Sequence, residues 1–366
     1  MIKKGGVTMD TVLINQKALK QRKTMKQIQK ESFRKYGRVH GAVVKGKIGK
    51  FVRMSEQAGK LNSPNITIPD ISQEELLRML QKSQLTGMSG NRFPTFQKVE
   101  SFLRSQSRKR VLVINGVECE PGLLHDEWLL EQHPNEIRAG IKLLCKALKI
   151  SHSVLAVKVD SKLEGTDIEV RRVPARYPMG EEHILIHQLF DILMEKKEHP
   201  AENGFLVLNV QTVYQIYQLC HGSYQEGRYV TLANIDTGEA KVVFVKYGES
   251  IRRTLENSFG KQKGVEYFAG GGILSAHPVG EEECFEGAVS FAAIGVSAHI
   301  SNENACRKCG KCIRKCPMGV NVKEIVRRRE QNQDADVTGL GLEKCIHCNS
   351  CTYFCKAGKN IASMLV

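Results

Sequence analysis

The chain has 366 residues, enough for about two or three domains, and 41% hydrophobic with 25% charged residues is ordinary for a globular protein. No apolar stretch is long enough to span a bilayer, because the longest, 287–300, has about 14 residues where about 20 are needed. This composition excludes a membrane-spanning helix, and we interpret 287–300 as core.

The net charge of +15 is concentrated near the N-terminus. Between Thr11 and Arg53 there are thirteen Lys or Arg and one acidic residue, Glu31. Residues 1–70 are therefore predicted to be a solvated basic region, with docking to an acidic redox partner or peripheral association with anionic lipid as alternatives. No nucleic-acid recognition motif accompanies the charge, so no nucleic-acid partner is predicted. Residues 1–6 lack the apolar segment of a secretory signal, which predicts a cytoplasmic protein.

An α/β domain is predicted to follow, because apolar runs of strand length alternate with helical stretches. The predicted strands are 111–115, 154–159 and 205–210, and the predicted helices are 133–148 and 182–195. This alternation predicts a mainly parallel sheet, with ligands bound where its strands end.

Short β-rich segments at 229–232 and 241–245, a helix at 250–257 and the triple glycine 270–272 come next. They predict a small β-grasp module. Residues 281–304 are expected to link it to the C-terminal domain.

Three polar segments lie at turns of the predicted α/β domain. Asn115–Gly122 puts an amide and two carboxylates at the end of a strand, Tyr177–Glu182 opens a helix with acids, and Asn209–Thr212 follows another strand. Each segment alone is also explained by a solvated turn or by helix capping.

The C-terminal domain carries eight of the twelve cysteines in two copies of the spacing C-x2-C-x2-C-x3-C. This run gives three ligands to one 4Fe-4S cluster and its fourth cysteine to the other cluster. We predict that Cys306, Cys309 and Cys312 bind one cluster with Cys355. Cys345, Cys348 and Cys351 are predicted to bind the second cluster with Cys316.

Zinc and disulfides are the competing interpretations of these cysteines. A tetrahedral zinc site would leave the third and fourth cysteine of each copy surplus, and disulfides need an oxidising compartment. Pro317 after Cys316 matches the ending of the bacterial ferredoxin run, whereas Lys356 follows Cys355. Two fully ligated clusters predict an electron relay, since no iron has an open position for substrate.

Together and in this order, these motifs resemble one family, the soluble iron-sulfur C subunit of the Rnf electron-transport complex, which is related to the flavoprotein subunit of respiratory complex I. The resemblance spans about 85–357 and includes Asn115–Gly122, Tyr177–Glu182 and Asn209–Thr212. The propanediol-utilisation cobalamin reductase and the proline-reductase-associated electron-transfer protein share this architecture.

The resemblance implies FMN and NADH sites in the α/β domain and an NADH-dependent oxidoreductase component. The flavin residues that it implies are Gly87, Gly90, Lys98, Asn115, Glu118, Glu120, Gly180, Glu181 and Asn209. The implied domains are a complex I flavoprotein-like domain (71–225), a β-grasp module (226–295) and a helical, bacterial-ferredoxin-like dicluster domain (296–366).

The glycine-rich loop at 87–95 departs from the family pattern. Ser89 and Arg92 replace two glycines that let the backbone approach the flavin. The Arg92 guanidinium is expected either to project into the pocket or to pair with a phosphate.

Three hypotheses for the function follow. The first is a relay between a donor, NADH through flavin, and a protein acceptor such as membrane Rnf-like subunits, ferredoxin or a reductase. The second is a non-catalytic adaptor whose flavin site has decayed, and the third is the partner of a cobalamin or amino-acid reductase. The protein is predicted to be cytoplasmic, with peripheral association with the inner face of the cell membrane as the alternative.

Overall fold

The computed structural model describes residues 66–366 except 90–91, 119, 162, 164–166, 196, 296, 300–304 and 333. It also describes strands β1 (Gly37–Val39) and β2 (Ala42–Val44), which form a three-stranded antiparallel sheet with β12 (Ser297–His299). The rest of the basic N-terminal region and site residue Gly90 lie outside the described residues.

The α/β unit begins with two helices and continues as a four-stranded, entirely parallel sheet in the order β5-β4-β3-β6. Its elements are α1 (Gln73–Ser83), α2 (Thr95–Arg104), β3 (Val111–Gly116), α3 (His125–Gln132), α4 (Pro134–Ala147), β4 (His152–Lys158), β5 (Glu169–Val173), α5 (Glu182–Phe190), β6 (Phe205–Asn209) and α6 (Val210–Cys220). The helix predicted over 182–195 ends early, because Asp191 takes a left-handed conformation with φ 56°.

Central strand β3 is buried along its whole length, and successive side chains serve opposite faces of the sheet. Leu112 and Ile114 pack with α1, α2, α4 and α6 on one face. Val111 and Val113 pack with α5 on the other face. Burial on both faces explains why this strand is a continuous apolar run in the sequence.

A mixed five-stranded sheet forms the next unit, in the order β10-β9-β11-β7-β8. Its elements are β7 (Gly227–Asn234), β8 (Glu239–Lys246), α7 (Ile251–Phe259), β9 (Glu266–Gly270), β10 (His277–Pro278) and β11 (Phe291–Gly295). The hairpin β7-β8, the helix that follows and the insertion of β11 parallel to β7 form a β-grasp arrangement.

The expectation that 281–304 is a linker was wrong for β11. This strand is buried at every position in the middle of the β-grasp sheet. The interpretation of the apolar stretch 287–300 as core was therefore correct for 291–295. Its short length, with glycine and serine on both sides, concealed the strand.

The C-terminal unit contains the helices α8 (Lys311–Lys315), α9 (Val322–Gln331) and α10 (Ser350–Tyr353). Its small core combines cysteines with apolar residues from α9 and the C-terminal segment. The structure thus has the predicted fold class, a parallel α/β domain followed by a mixed sheet and a ferredoxin-like dicluster domain. Within the described part of the chain, no helix is long and apolar enough to cross a membrane.

Candidate functional site

The three polar segments of the α/β unit meet at the carboxyl ends of β3 and β6. The Asn115 Nδ2 donates to the Gly180 carbonyl oxygen at 2.8 Å, and the Val117 N–H donates to the Asn115 Oδ1 at 3.0 Å. Asn209 caps α6 and donates from Nδ2 to the Asp126 Oδ2 at 2.7 Å. Sites at this edge are typical of parallel sheets.

The glycine-rich loop contacts the same region. The Gly87 N–H donates to the Phe93 carbonyl oxygen at 2.8 Å, and the Met88 N–H donates to the Thr212 Oγ1 at 3.0 Å. The fully buried Arg228 donates to the Met88 carbonyl oxygen at 2.7 Å and to the Gly287 carbonyl oxygen at 2.5 Å. Arg228 therefore joins the loop to the β-grasp unit, a role that the sequence did not indicate.

A buried ionic cluster lies beside these residues. The Lys158 Nζ is 2.7 Å from the Glu118 Oε2 and 2.8 Å from the Glu127 Oε2, and all three side chains are buried. Burial raises the pKa of Glu118, and the two carboxylates outweigh burial to raise the pKa of Lys158. Glu118 is therefore held by protein groups. The sequence analysis missed its partners, Lys158 on β4 and Glu127 on α3, because no local sequence pattern connects these residues to Glu118.

Asp126 and His125 are two further buried groups that sequence reasoning missed. Burial, with the nearby Glu118 charge, raises the pKa of Asp126 to about 7. Burial, with the charge of Arg228, lowers the pKa of His125 to about 3, so this imidazole is neutral. The Asp126 Oδ1 has no hydrogen-bond partner among the described residues.

Glu120 contacts the triple glycine of the β-grasp unit. The Leu274 N–H donates to its Oε2 at 3.2 Å. A Cβ on Gly272 would lie 2.3 Å from the Glu120 Cβ, so this approach requires glycine. The contact connects the α/β and β-grasp units.

The other acids and Lys98 have local partners. Glu181 caps α5 by accepting the Ile184 N–H at 3.0 Å and is 2.9 Å from the His183 Nδ1. Lys98 forms an ion pair with Glu182. The capping explanation is correct for Glu181, and it does not exclude contact with a ligand.

Arg92 lies at the outer end of the glycine-rich loop. Its φ of 54° is in the left-handed region that glycine adopts freely, which accounts for glycine at this position in the family pattern. Its guanidinium is 3.2 Å from the Glu286 carboxylate, with both side chains at least half exposed. In this structure Arg92 therefore pairs with a carboxylate of the β-grasp unit.

The N-terminus of α2 is suited to the phosphate of FMN. Among the described residues no side chain caps it, its first turn has no acid, and the buried Thr95 Oγ1 has no hydrogen-bond partner. The Thr95 N–H donates to the Leu85 carbonyl oxygen at 2.9 Å, so an anion here would be bound by the N–H groups that follow it and by the helix dipole. Lys98 lies one turn along α2, where its charge is balanced by Glu182 in this structure.

The eight cysteines divide into two sets of four, each lining its own cavity. The outer set is Cys306, Cys309, Cys312 and Cys355, and the inner set is Cys316, Cys345, Cys348 and Cys351. These are the two sets that the sequence predicted, each combining three cysteines of one run with the last of the other. Burial raises the pKa of Cys316 to about 11, whereas a hydrogen bond from the Lys311 backbone lowers the pKa of the exposed Cys309.

The two cysteine runs share one backbone geometry. Lys308 and His347 stand at equivalent positions with φ 51° and 49°, and the N–H of each donates to the sulfur of the run's first cysteine at 3.4 Å. Gly310 and Asn349 are also equivalent and left-handed. Glycine and asparagine are the residues that adopt this conformation most readily.

The inner set lies against the other two units. The Tyr177 hydroxyl donates to the Cys348 carbonyl oxygen at 2.6 Å, and the Asn349 Nδ2 donates to the Leu274 carbonyl oxygen at 2.8 Å. Ile346 packs against the core that contains Met179. The inner cysteine loop thus contacts the turn whose Gly180 accepts a hydrogen bond from Asn115.

Comparison with known proteins agrees with this division of the chain. Residues 80–218 match the family described as the Nuo51 FMN-binding domain, and residues 305–360 match the 4Fe-4S dicluster domain. Relatives named as the C subunit of an ion-translocating oxidoreductase complex align with about 70% of the chain. The chain is a homologue of this C subunit. It carries an FMN-binding domain of the Nuo51 type and a 4Fe-4S dicluster domain.

Two relatives illustrate the extent of the similarity. The C subunit from Vibrio cholerae is 29% identical over 277 residues, which are 70% of this chain and 35% of that protein. The C subunit of the proton-translocating ferredoxin:NAD(+) oxidoreductase complex from Clostridium ljungdahlii is 26% identical over 73% of this chain and 61% of its own length. The chain therefore spans between about a third and three fifths of these relatives.

Among solved structures, an NAD+-reducing [NiFe]-hydrogenase in the H2-reduced state has a similar fold. The TM-score is 0.50 at 16% identity, over 61% of this chain and 47% of that chain. A fold similar to that of about three fifths of this chain therefore occurs in a protein of another name.

Proposed function

We propose that the protein relays electrons between a flavin site in the α/β unit and a protein partner through two 4Fe-4S clusters. The observation that carries this proposal is the contact of the inner cysteine loop with the turn at Tyr177–Gly180. That turn is itself hydrogen-bonded to Asn115 at the centre of the site. The inner set is thus the entry to the cluster domain, and the outer set is its exit.

FMN, when bound, supplies the conversion between two-electron and one-electron chemistry. The chain's own residues hold it in place: the loop from Gly87, the N-terminus of α2 and Lys98 for the phosphate, and the edge formed by Asn115 and Asn209. Glu118, Glu120, Gly180 and Glu181 complete the proposed site. The buried side chains fix one another through hydrogen bonds, so the site is formed before the cofactor binds.

NADH is the proposed electron donor, or the acceptor in the reverse direction. The names of the relatives support membrane Rnf-like subunits as the assembly in which the chain acts, with ferredoxin as a redox partner. The proposed location is the cytoplasmic face of the membrane, where the protein would be a peripheral subunit.

The first test is purification without oxygen and measurement of iron, acid-labile sulfide and extractable flavin on one sample. About eight irons and one flavin per chain are expected, with bleaching of the cluster absorbance on addition of NADH. Eight irons without flavin, even after incubation with FMN, would refute a flavin entry point and favour the adaptor. If dithionite reduces the flavin and the clusters but NADH does not, only the proposal that NADH is the electron donor is refuted.

A further inference from the structure

The two cysteine runs have the same spacing but opposite charge character. Between Cys306 and Cys316 there are five Lys or Arg and no acid. Between Cys345 and Cys355 there is no charged Lys, Arg, Asp or Glu. Since the cluster geometry needs only the cysteines and the turns between them, the positive charge of the first run requires another explanation.

The folded chain strengthens this difference. The cavity of the outer set is lined by Arg307, Lys311, Lys323 and Lys359, and no Asp or Glu among the described residues lines it. The cavity of the inner set is lined by no Lys or Arg from the described chain. Lys323 comes from α9, so the fold adds cations to those of the run itself.

The outer set is also the more accessible one. Cys309 is exposed, and it is surrounded in the sequence and in space by the exposed cations Arg307, Lys308, Arg314, Lys323 and Lys356. We name these five cations the outer-cluster face. Arg314 donates to the Cys309 carbonyl oxygen at 2.9 Å, so at least one of them directly borders the exposed ligand.

We propose that the outer-cluster face is the docking surface for an acidic electron-carrier protein. The proposal rests on the electron relay proposed above. One electron crosses between the outer cluster and the carrier's own iron-sulfur or flavin centre, so one is oxidised as the other is reduced, and no proton or bond is transferred. Charge complementarity suits such encounters, because they must form and separate quickly.

A carrier protein fits this face better than a lipid surface. Surfaces that bind membranes combine cations with exposed apolar side chains that enter the bilayer. In the described part of the cluster domain, Val366 is the only large exposed apolar residue. Cations around an exposed cluster ligand instead attract an acidic partner protein to the outer cluster, from which an electron can be transferred.

The test is direct binding of an acidic plant-type [2Fe–2S] ferredoxin to the cluster-loaded, full-length protein at 20 and 300 mM NaCl. The dissociation constant is expected to rise at least about tenfold at the higher salt concentration. The variant Lys308→Glu/Lys356→Glu should weaken binding about tenfold or more at low salt. The matched control, Lys261→Glu/Lys263→Glu, changes the net charge equally at exposed positions of the β-grasp unit and should stay within about twofold.

Iron and sulfide contents are measured for every variant, and Lys308→Gln/Lys356→Gln replaces the charge-reversal variant if the latter loses its clusters. Equal weakening by the two double variants, or binding that salt does not change, would overturn the proposal. Absence of ferredoxin binding would also overturn the proposal, and binding of phosphatidylglycerol vesicles in that case would indicate a lipid surface as the partner. Because the assay needs neither NADH nor flavin, its outcome is independent of the test of the flavin site.

Discussion

Asp126 is a carboxyl group with 1% exposure, next to Glu118 and held by one hydrogen bond from Asn209. Its pKa is raised from the usual 3.8 to about 7, first by burial and then by the Glu118 charge. A raised pKa in the folded state means that the folded protein holds the proton more tightly than the unfolded chain. The stability that this gives is complete below about pH 4 and is lost as the pH rises through about 7.

The variant Asp126→Asn, which carries no charge at any pH, is therefore expected to flatten this pH dependence. From pH 5 to pH 8, the free energy of unfolding of the wild type should fall by on the order of a few kcal/mol more than that of the variant. Thermal unfolding under nitrogen measures both. Asp167→Asn is the control, because Asp167 is half exposed and Lys142 lowers its pKa. If the stabilities of the wild type and of Asp126→Asn change equally with pH across this range, Asp126 is ionised throughout it.

Lys158 compensates two buried carboxylates at once. Its replacement by Met would leave Glu118 and Glu127 without their cation, at a cost of about 3–5 kcal/mol of unfolding free energy. Denaturant unfolding monitored by circular dichroism measures this loss. Lys142→Met, which breaks a half-exposed pair with Asp167, should cost at most about 1 kcal/mol.

A second variant separates loss of charge from loss of packing. Lys158→Met/Glu118→Gln removes one of the two stranded carboxylates and should recover part of the stability. If the double variant is no more stable than the single variant, the buried ionic cluster does not act as a charge-balanced unit.

At the scale of helices and strands, local pattern was enough where an element is long and periodic. Strand β3, helix α4 and the β7-β8 hairpin follow directly from their apolar patterns. The short strands β5 and β11 do not. Only one of the five residues of β5 is buried, and β11 consists partly of alanines and a glycine, which give no distinct apolar pattern. Their place is set by neighbouring strands, which a local window does not contain.

The candidate site was predictable to the same extent. Asn115 and Asn209 could be found because polar residues at the ends of apolar strands are visible in the sequence, and Gly180 because a glycine turn precedes the helix α5. Lys158 and Arg228 could not be found, since a cation inside a strand is ordinary on an exposed face. Only the fold shows that these two side chains are buried. The cysteine sets were predictable because the spacing itself encodes the cluster geometry.

The glycine-rich loop gives a prediction at this scale. Since Arg92 pairs with Glu286, the variant Arg92→Gly is expected to leave flavin content unchanged within about twofold. Stability should change by at most about 1 kcal/mol, because relief of the left-handed backbone offsets loss of an exposed ion pair. The measurement is extractable flavin per eight irons after incubation with FMN.

Glu286→Gln is the control, because it breaks the same ion pair and leaves the arginine free to turn. A fall in flavin content for Glu286→Gln with no fall for Arg92→Gly would show that Glu286 keeps the guanidinium out of the pocket. A several-fold rise for Arg92→Gly would instead show that Arg92 obstructs flavin even in the wild type.

At the scale of the whole molecule, several buried or partly buried side chains join the three units. Arg228 and Glu120 connect the α/β unit to the β-grasp unit, and the loop of the inner cysteines contacts both. In the outer set, Cys309 is exposed to solvent among cations. The molecule is therefore polarised, with a closed junction on the flavin side and an open, positively charged face on the partner side.

The closed junction depends on two side-chain hydrogen bonds, from Tyr177 to Cys348 and from Asn349 to Leu274. The variant Tyr177→Phe/Asn349→Gly removes both donors while retaining the buried ring and the left-handed backbone at 349. At about 1 kcal/mol for each bond, the population in which the loop separates should rise at least about tenfold. Iron, sulfide and flavin contents should be unchanged, because none of the removed atoms belongs to a proposed ligand.

Amide hydrogen exchange measures this opening directly and needs no electron donor. Exchange in 345–351 should accelerate about tenfold in the variant, and the control Tyr267→Phe, which removes a hydroxyl bonded to Glu256 in the β-grasp unit, should leave it unchanged. If the junction also positions the inner cluster for electron transfer, reduction of the clusters through flavin should slow in the same variant while direct reduction by dithionite does not. Faster exchange with unchanged electron transfer would show that the junction stabilises the loop but does not determine the electron path.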